Sequence, residues 1–285
     1  PYSYCRWGSI TPTFEMVEAF EYQDGSEGKI DIGQSFETTY EMFQGKDPRF
    51  LASIYVPGSS LLGSTMQFQR GLILKDGSKY YAQSAPGPSY LLETYIDPET
   101  QRKDTIFGKD GGTYTGDASK TGFNIRKFVN ENLKTEAQWD FGKTETSFPI
   151  FRLAEVYLNL AEAAVEMGKY QTEAFEAIKK IRDRAGVVTP FAVVDVEKVR
   201  HERQVELAFE GHRFWDMKRW RIAHLPVEQG GLNGFRGAGL HPFFDLRIRK
   251  YVFEVANDLP KRQRVFTEKN YYTKFSGNDM NSNPS

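Results

Sequence analysis

One block of the chain, residues 149–223, repeats its apolar positions at a helical period, and the flanks on either side do not. The segment "PIFRLAEVYLNLAEAAVEMG" opens at Pro149 and stops at Gly168. Its Leu153, Val156, Tyr157, Leu160, Ala161 and Ala164 form one stripe with a period near 3.6, which predicts an amphipathic helix. A second helix follows in "TEAFEAIKKIRDRAG", with Thr172 as its cap, Ala174, Phe175, Ile178 and Ile181 as its stripe and Gly186 as its stop. A third is expected from about Asp195, interrupted at Gly211.

Residues 1–148 read differently. Gly, Pro, Ser, Asp and Thr recur every few positions, as in "YQDGSEGKIDIG" and "KDGSKYYAQSAPGPSY", and this is turn and loop chemistry. Short runs such as "FLASIYV" and "GLILK" are β-prone. One early helix is expected in "TPTFEMVEAF", capped by Thr11 with Pro12 at its first position. Residues 224–285 return to loop in "EQGGLNGFRGAGLHPFFD", pass through a strand-like "YVFEVA" and end in a polar tail whose composition favours no fixed structure. The expected organisation is therefore a loop-rich ligand-binding region at 1–148, a helical scaffold at 149–223 and an irregular segment at 224–285. The fold class is mainly α with short β-strands.

Tyr157, Leu160, Ala161, Ala164, Gly168 and Tyr170 fall where a tetratricopeptide unit places its aromatic, Leu, small, Gly and Tyr positions. Small residues at 161 and 164 let the paired helices approach closely. Only one such unit is visible, and one unit cannot cover both of its faces. The rest of the stack is expected on an N-terminal half absent from this chain, or on a second chain, and the three segments then form a single domain.

Composition narrows the chemistry. A net charge of −1 over 285 residues provides no basic surface for nucleic acid. The lone Cys5 permits neither a disulfide framework nor a cysteine zinc site. No stretch approaches the ~20 apolar residues of a membrane span. "HER" at 201–203 starts like a zinc-binding HExxH, but position 205 is Val, and His212 with Asp216 supplies too few ligands. No motif calls for a metal or a cofactor. GxSxG and the phosphate-loop patterns are absent.

The densest chemistry lies in "ERQVELAFEGHRFWDMKRW", residues 202–220. Glu202, Glu206 and Glu210 follow one another at i, i+4 and i+8. Like charges at that spacing repel unless each is paired, and Arg182, Arg184, Arg203 and Arg213 are at hand. A glycosidase needs one carboxyl with a raised pKa, whereas arginine neighbours lower it. These charges are therefore expected to form an ion-pair lattice between helices, with Phe209, Phe214, Trp215 and Trp220 packed, rather than a hydrolytic site on Glu206 and Glu210.

What remains is the aromatic content, 22 Phe and 15 Tyr, much of it on loops. Sugar rings stack their C–H faces on such side chains while neighbouring polar groups bond the hydroxyls. Trp7, Tyr55, Tyr80, Tyr81, Tyr90 and Trp139 are the ligand-binding candidates, with Tyr95 and Tyr114 in similar surroundings. The competing reading is that a loop-rich region poor in aliphatics uses its tyrosines as core.

Taken together, "FPIFRLAEVYLNLAEAAVEMGKY", "EAFEAIKKIRDRAGV" and "RHERQVELAFEGHRFWDMKRW" closely resemble the signature helices of the SusD/RagB family. "TPTFEMVEAFEYQDG", "GKDPRFLASI" and "TGFNIRKFV" are similar to its preceding motifs, in the same order. The resemblance runs from about Thr11 to Ala223 and weakens beyond, where "YVFEVANDLPKRQRVFTEKNYYTKF" departs from the family's ending. It implies the C-terminal half of a non-catalytic lipoprotein of the outer membrane. Such a protein faces outward, is anchored by lipid through a part outside this chain and has a tetratricopeptide-like scaffold. It would capture oligosaccharides, or in some branches peptides, for a SusC-like TonB-dependent transporter. Ligand residues vary across the family, so the resemblance assigns none here.

Overall fold

The computed structural model describes residues 10–81, 94–110, 119–132, 146–257 and 263–272. Trp7, Tyr90, Tyr114, Trp139 and the polar tail lie outside them. The larger helices fall in the block where the period predicted them. α1 spans Phe14–Ala19 and α2 spans Pro48–Ser53; then come α3 Leu153–Glu166, α4 Gln171–Ala185, α5 Val196–Glu206 and α6 His212–Arg219. The strands are short: β1 Ile54–Tyr55, β2 Ser60–Leu61, β3 Ser64–Thr65, β4 Gly71–Ile73, β5 Lys79–Tyr80, β6 Thr94–Ile96, β7 Lys103–Thr105 and β8 Asn124–Ile125. Two longer strands close the series, β9 Gly239–Asp245 and β10 Lys250–Ala256.

Local chemistry explains several helix ends. Asp195 caps α5 by accepting from the Lys198 amide at 2.8 Å. Gly186 ends α4 in the left-handed region at φ 74°, where a side chain is disfavoured. Three starts differ from expectation. Thr13, not Thr11, stands at the N-cap of α1, Tyr170 rather than Thr172 at that of α4, and α3 begins at Leu153, four residues after Pro149. "FLASIYV" is half helix: Asp47 accepts from the Arg49 amide at 2.8 Å and Pro48 sits at the first position, which starts α2 before β1 begins.

α3 and α4 form a helical hairpin over a core of Ala154, Leu158, Ala161 and Ala164 against Ala174, Ala177, Ile178 and Ile181. The buried face of α3 is thus not the whole expected stripe. Leu153, Val156 and Leu160 are exposed, at 63%, 41% and 47%. α3 is apolar on two faces, and α4 covers only one of them. Trp215 and Phe214 on α6 are also exposed rather than packed.

A second core joins the scaffold to the loop-rich region. Phe14, Val17 and Phe20 of the α1 segment meet Phe43, Phe50, Ile54, Phe123, Leu240 and Phe253, and Val205 and Ala208 from the end of α5 lie in the same cluster. Phe43 sits edge-on to Phe123 at 6.0 Å and to Phe253 at 5.9 Å, contacts worth roughly 0.5–1.5 kcal/mol each beyond the area they bury. Lys46 braces this core from below. Its ammonium donates to the carbonyls of Val17, Phe20 and Gly28, which leaves the end of the short α1 helix satisfied. Burial lowers its pKa to about 8, against the opposing pull of Glu18 and Asp47.

The C-terminal segment is more regular than its composition suggests. β9 and β10 pair over seven residues, and β4 joins β9 in parallel, giving a mixed sheet in the order β10-β9-β4-β5. "GLHPFFD" reads as loop because a proline removes a ladder donor. Pro242 nevertheless lies within the central strand β9, and its carbonyl accepts from the Arg70 amide at 2.9 Å. This sheet carries the site described next.

Candidate functional site

Two constellations compete for function. The first is the charged stretch at 202–220. Glu202, Glu206 and Glu210 are buried, at 2%, 3% and 5% exposure, and each is paired. Glu202 meets Arg49 at 2.5 Å and Arg182 at 3.0 Å. Glu206 meets Arg152 at 2.6 Å, Arg184 at 2.5 Å and Arg49 at 2.9 Å. Glu210, in the turn after α5, meets Arg152 at 2.7 Å and Lys127 at 2.5 Å. Asp47 binds Arg49 and Glu21 binds Arg182, so five carboxylates face five cations. Beside them Arg203 makes a double contact with Asp216, at 3.1 Å to each oxygen.

These environments decide the chemistry. Burial pushes the Glu206 carboxyl up, but hydrogen bonds and charge from Arg152 and Arg49 outweigh it and bring it down to about 2. Burial likewise raises Glu210, and Arg152 with Lys127 turns the balance to a lowered value. A general acid must hold a proton near neutral pH, and neither group does. The expected lattice is present, though its main cations are Arg49, Arg152 and Lys127 from distant segments. Arg213 instead stacks on Trp220.

The second constellation is a cleft of about 560 Å³ on the mixed sheet, lined by Arg70, Tyr81, Arg236, His241, Phe243, Glu254, Val255, Ala256 and Asn257. Strand pairing assembles it. His241 and Phe243 alternate onto one face of β9, and His241 stands opposite Glu254 on β10. Gly71 on β4 stands opposite Phe243. A Cβ at Gly71 would meet the Tyr80 carbonyl at 2.6 Å and the Phe243 ring at 3.1 Å, so glycine is what lets the ring lie across the strand. Tyr81, just after β5, then leans edge-on against Phe243 at 5.8 Å.

Charge in the cleft is arranged unevenly. Lys79 reaches over the Phe243 ring to Glu254 at 2.6 Å and neutralises it. His241 donates from Nε2 to the Lys120 carbonyl at 2.9 Å, since a carbonyl only accepts, and this fixes the ring. Among the described residues, the buried Nε of Arg70 has no hydrogen-bond partner, and neither Arg70 nor Arg236 forms an ion pair.

The aromatic candidates separate by environment. Tyr81 is 39% exposed and lines the cleft. Its neighbour Tyr80 turns to the other face, where it packs on Tyr95 at 5.4 Å beside Leu72 and Ile106. Tyr55 is fully buried, its hydroxyl donating to Glu131 at 2.6 Å and its ring under Arg126, so it offers no surface to a ligand. Arg70, Arg236, His241, Glu254 and Asn257 were not among the candidates. Only the glycine run around Arg236, which frees the backbone before β9, hints at them in the sequence.

No group of three or more potential metal-binding side chains occurs among the described residues, and no described helix is long and apolar enough to cross a membrane.

Comparison with known proteins fits this architecture. A SusD-like protein of Bacteroides fragilis is 27% identical with a TM-score of 0.62, over 98% of this chain and 46% of its own. A SusD-like carbohydrate binding protein of the same organism is 24% identical with a TM-score of 0.57, over 92% and 45%. SusD-like protein P25 of Formosa agariphila is 39% identical over 80 residues, which is 26% of this chain and 15% of that protein. This chain thus spans about half the length of the solved relatives. The SusD family model matches residues 1–284, and the mainly helical scaffold with its short strands agrees with it: the chain belongs to the SusD family.

Proposed function

We propose that this protein captures oligosaccharides at the cleft beside β9 and β10, without cleaving them, and delivers them to a SusC-like TonB-dependent transporter at the outer membrane. The observation that carries the reading is the cleft itself. An exposed tyrosine braced by Phe243 offers a stacking surface, and Arg70, Arg236, Glu254 and Asn257 surround it with hydrogen-bonding groups. Family membership supports it, as does the relative described as carbohydrate binding. The absence of hydrolysis is supported by Glu206 and Glu210, which the charge and hydrogen bonds of their arginine and lysine neighbours hold in the ionised form.

We further place the additional length of the family scaffold on the open face of α3. Leu153, Val156 and Leu160 form an apolar row there, and the solved relatives are about twice as long as this chain. The lipid anchor and the surface location belong, in this reading, to that additional part.

Calorimetry against a panel of oligosaccharides and peptides tests the function. Oligosaccharide binding in the micromolar to millimolar range is expected, roughly −4 to −8 kcal/mol, with the sugar recovered intact. Binding of peptides and no sugars would select the peptide branch of the family instead, and release of shortened products would remove the non-catalytic reading.

A further inference from the structure

The cleft contains more positive charge than its own carboxylate balances. Glu254 is held by Lys79 at 2.6 Å, which leaves that pair neutral. Arg70 and Arg236 remain, and among the described residues nothing pairs with either. Many arginines elsewhere are paired, although Arg213, Arg221 and Arg264 lie on aromatic rings without an ion pair among the described residues. Arg49, Arg126, Arg152, Arg182, Arg203, Arg219, Arg247 and Arg249 all bond carboxylates. The Nε of Arg70 is withdrawn from solvent without an acceptor, as are those of Arg182 and Arg200, so the ends of its guanidinium are what the cleft offers to a ligand. A guanidinium presents a planar fork of donors that matches a carboxylate or a sulfate. Tyr81 offers a ring in the same cleft.

We infer that the cleft selects anionic saccharides, with Arg70 and Arg236 binding the carboxylate of a uronic acid or the sulfate ester of a sulfated sugar while Tyr81 stacks on a ring. This rests on the cleft being the saccharide site. The shared chemistry is a planar or tetrahedral oxyanion carried on a sugar. The neutral Lys79–Glu254 pair keeps the carboxylate of Glu254 from repelling it, and the ring of His241 is held to the Lys120 carbonyl beside it.

The test uses the full chain and two matched pairs of probes, free-acid against fully methyl-esterified oligogalacturonate, and dextran sulfate against dextran. At least one charged member is expected to bind about tenfold or more tightly than its neutral partner, with the advantage shrinking as salt is raised. Whichever pair shows the difference distinguishes uronate from sulfate recognition. Arg70→Gln and Arg236→Gln should each remove most of that advantage, whereas Lys169→Gln, an exposed charge on the scaffold, should leave it intact. Circular dichroism and melting curves confirm that the variants are folded. Equal binding of charged and neutral probes, weakened by Tyr81→Ala but not by either arginine change, overturns the anion inference and leaves the cleft as the sugar site. Charge-selective binding that none of the three cleft variants alters overturns both.

Discussion

The lattice beneath α5 and the cleft beside β9 are both rich in charge, and they differ in how that charge is balanced. Around Glu202, Glu206 and Glu210, five carboxylates and five cations face one another at 2.5–3.0 Å, with the three glutamates buried and Arg184 reaching in from the surface. In the cleft one acid is neutralised by Lys79 and two arginines are left over. Carboxylates each held by two or three cations have little bonding capacity left for a ligand, whereas arginines without a carboxylate in an open cleft retain theirs. Charge density in the sequence is therefore a poor guide to function, and the balance of partners is a better one.

The largest effect should come from breaking the lattice. Glu206→Gln keeps the shape but removes the charge shared by Arg49, Arg152 and Arg184. Removing one charge from a buried ion-pair network costs up to about 3–5 kcal/mol, and Arg49 and Arg152 keep Glu202 and Glu210 as partners. Urea denaturation of the variant should show a loss of that order, with sugar binding per folded molecule unchanged. A stable variant that loses binding or turnover would reverse the roles assigned to the two regions.

Acid sharpens the same point. Glu206 titrates at about 2 in the folded protein against an ordinary 4.5. A carboxyl lowered by folding contributes stability that is complete above its unfolded value and is lost as pH falls through the folded one. The contribution is about 3 kcal/mol, fading between pH 4.5 and about 2. Melting temperature followed from pH 6 downward should fall in that window, and Glu206→Gln should flatten the fall. A variant with an unchanged acid limb would show that the lattice does not set it.

The sequence made the scaffold legible and the cleft almost invisible, for physical reasons. Helical period, the Asp195 cap and the Gly186 stop are local signals, so α4 and α5 could be read directly. That the three glutamates must be paired was also readable, because like charges at i, i+4 demand it. Their partners were not: Arg152 lies 54 residues from Glu206, and Arg49 lies 153 from Glu202. α3 misled because it is apolar on two faces, and no pattern within one helix tells which face its neighbour takes. β9 was hidden by Pro242. Arg70 and Arg236 lie far apart in the chain, and only the pairing of β4 with β9 brings their segments together.

The tyrosines of "KYY" give the smallest effect and the cleanest contrast. Tyr80 and Tyr81 are indistinguishable by composition, but strand alternation sends them to opposite faces. Tyr80 supports Tyr95, Leu72 and Ile106, so Tyr80→Ala should cost about 1–3 kcal/mol in stability as a half-buried core truncation. Tyr81 contributes little to packing beyond its edge contact with Phe243. Tyr81→Ala should move stability by about 0.5 kcal/mol or less and weaken sugar binding about five- to twentyfold. Denaturation and calorimetry on both variants separate the two quantities. If Tyr80→Ala were the one to lose binding at unchanged stability, the ligand face of the sheet would be the opposite one, and the arginines of the cleft would have no part in recognition.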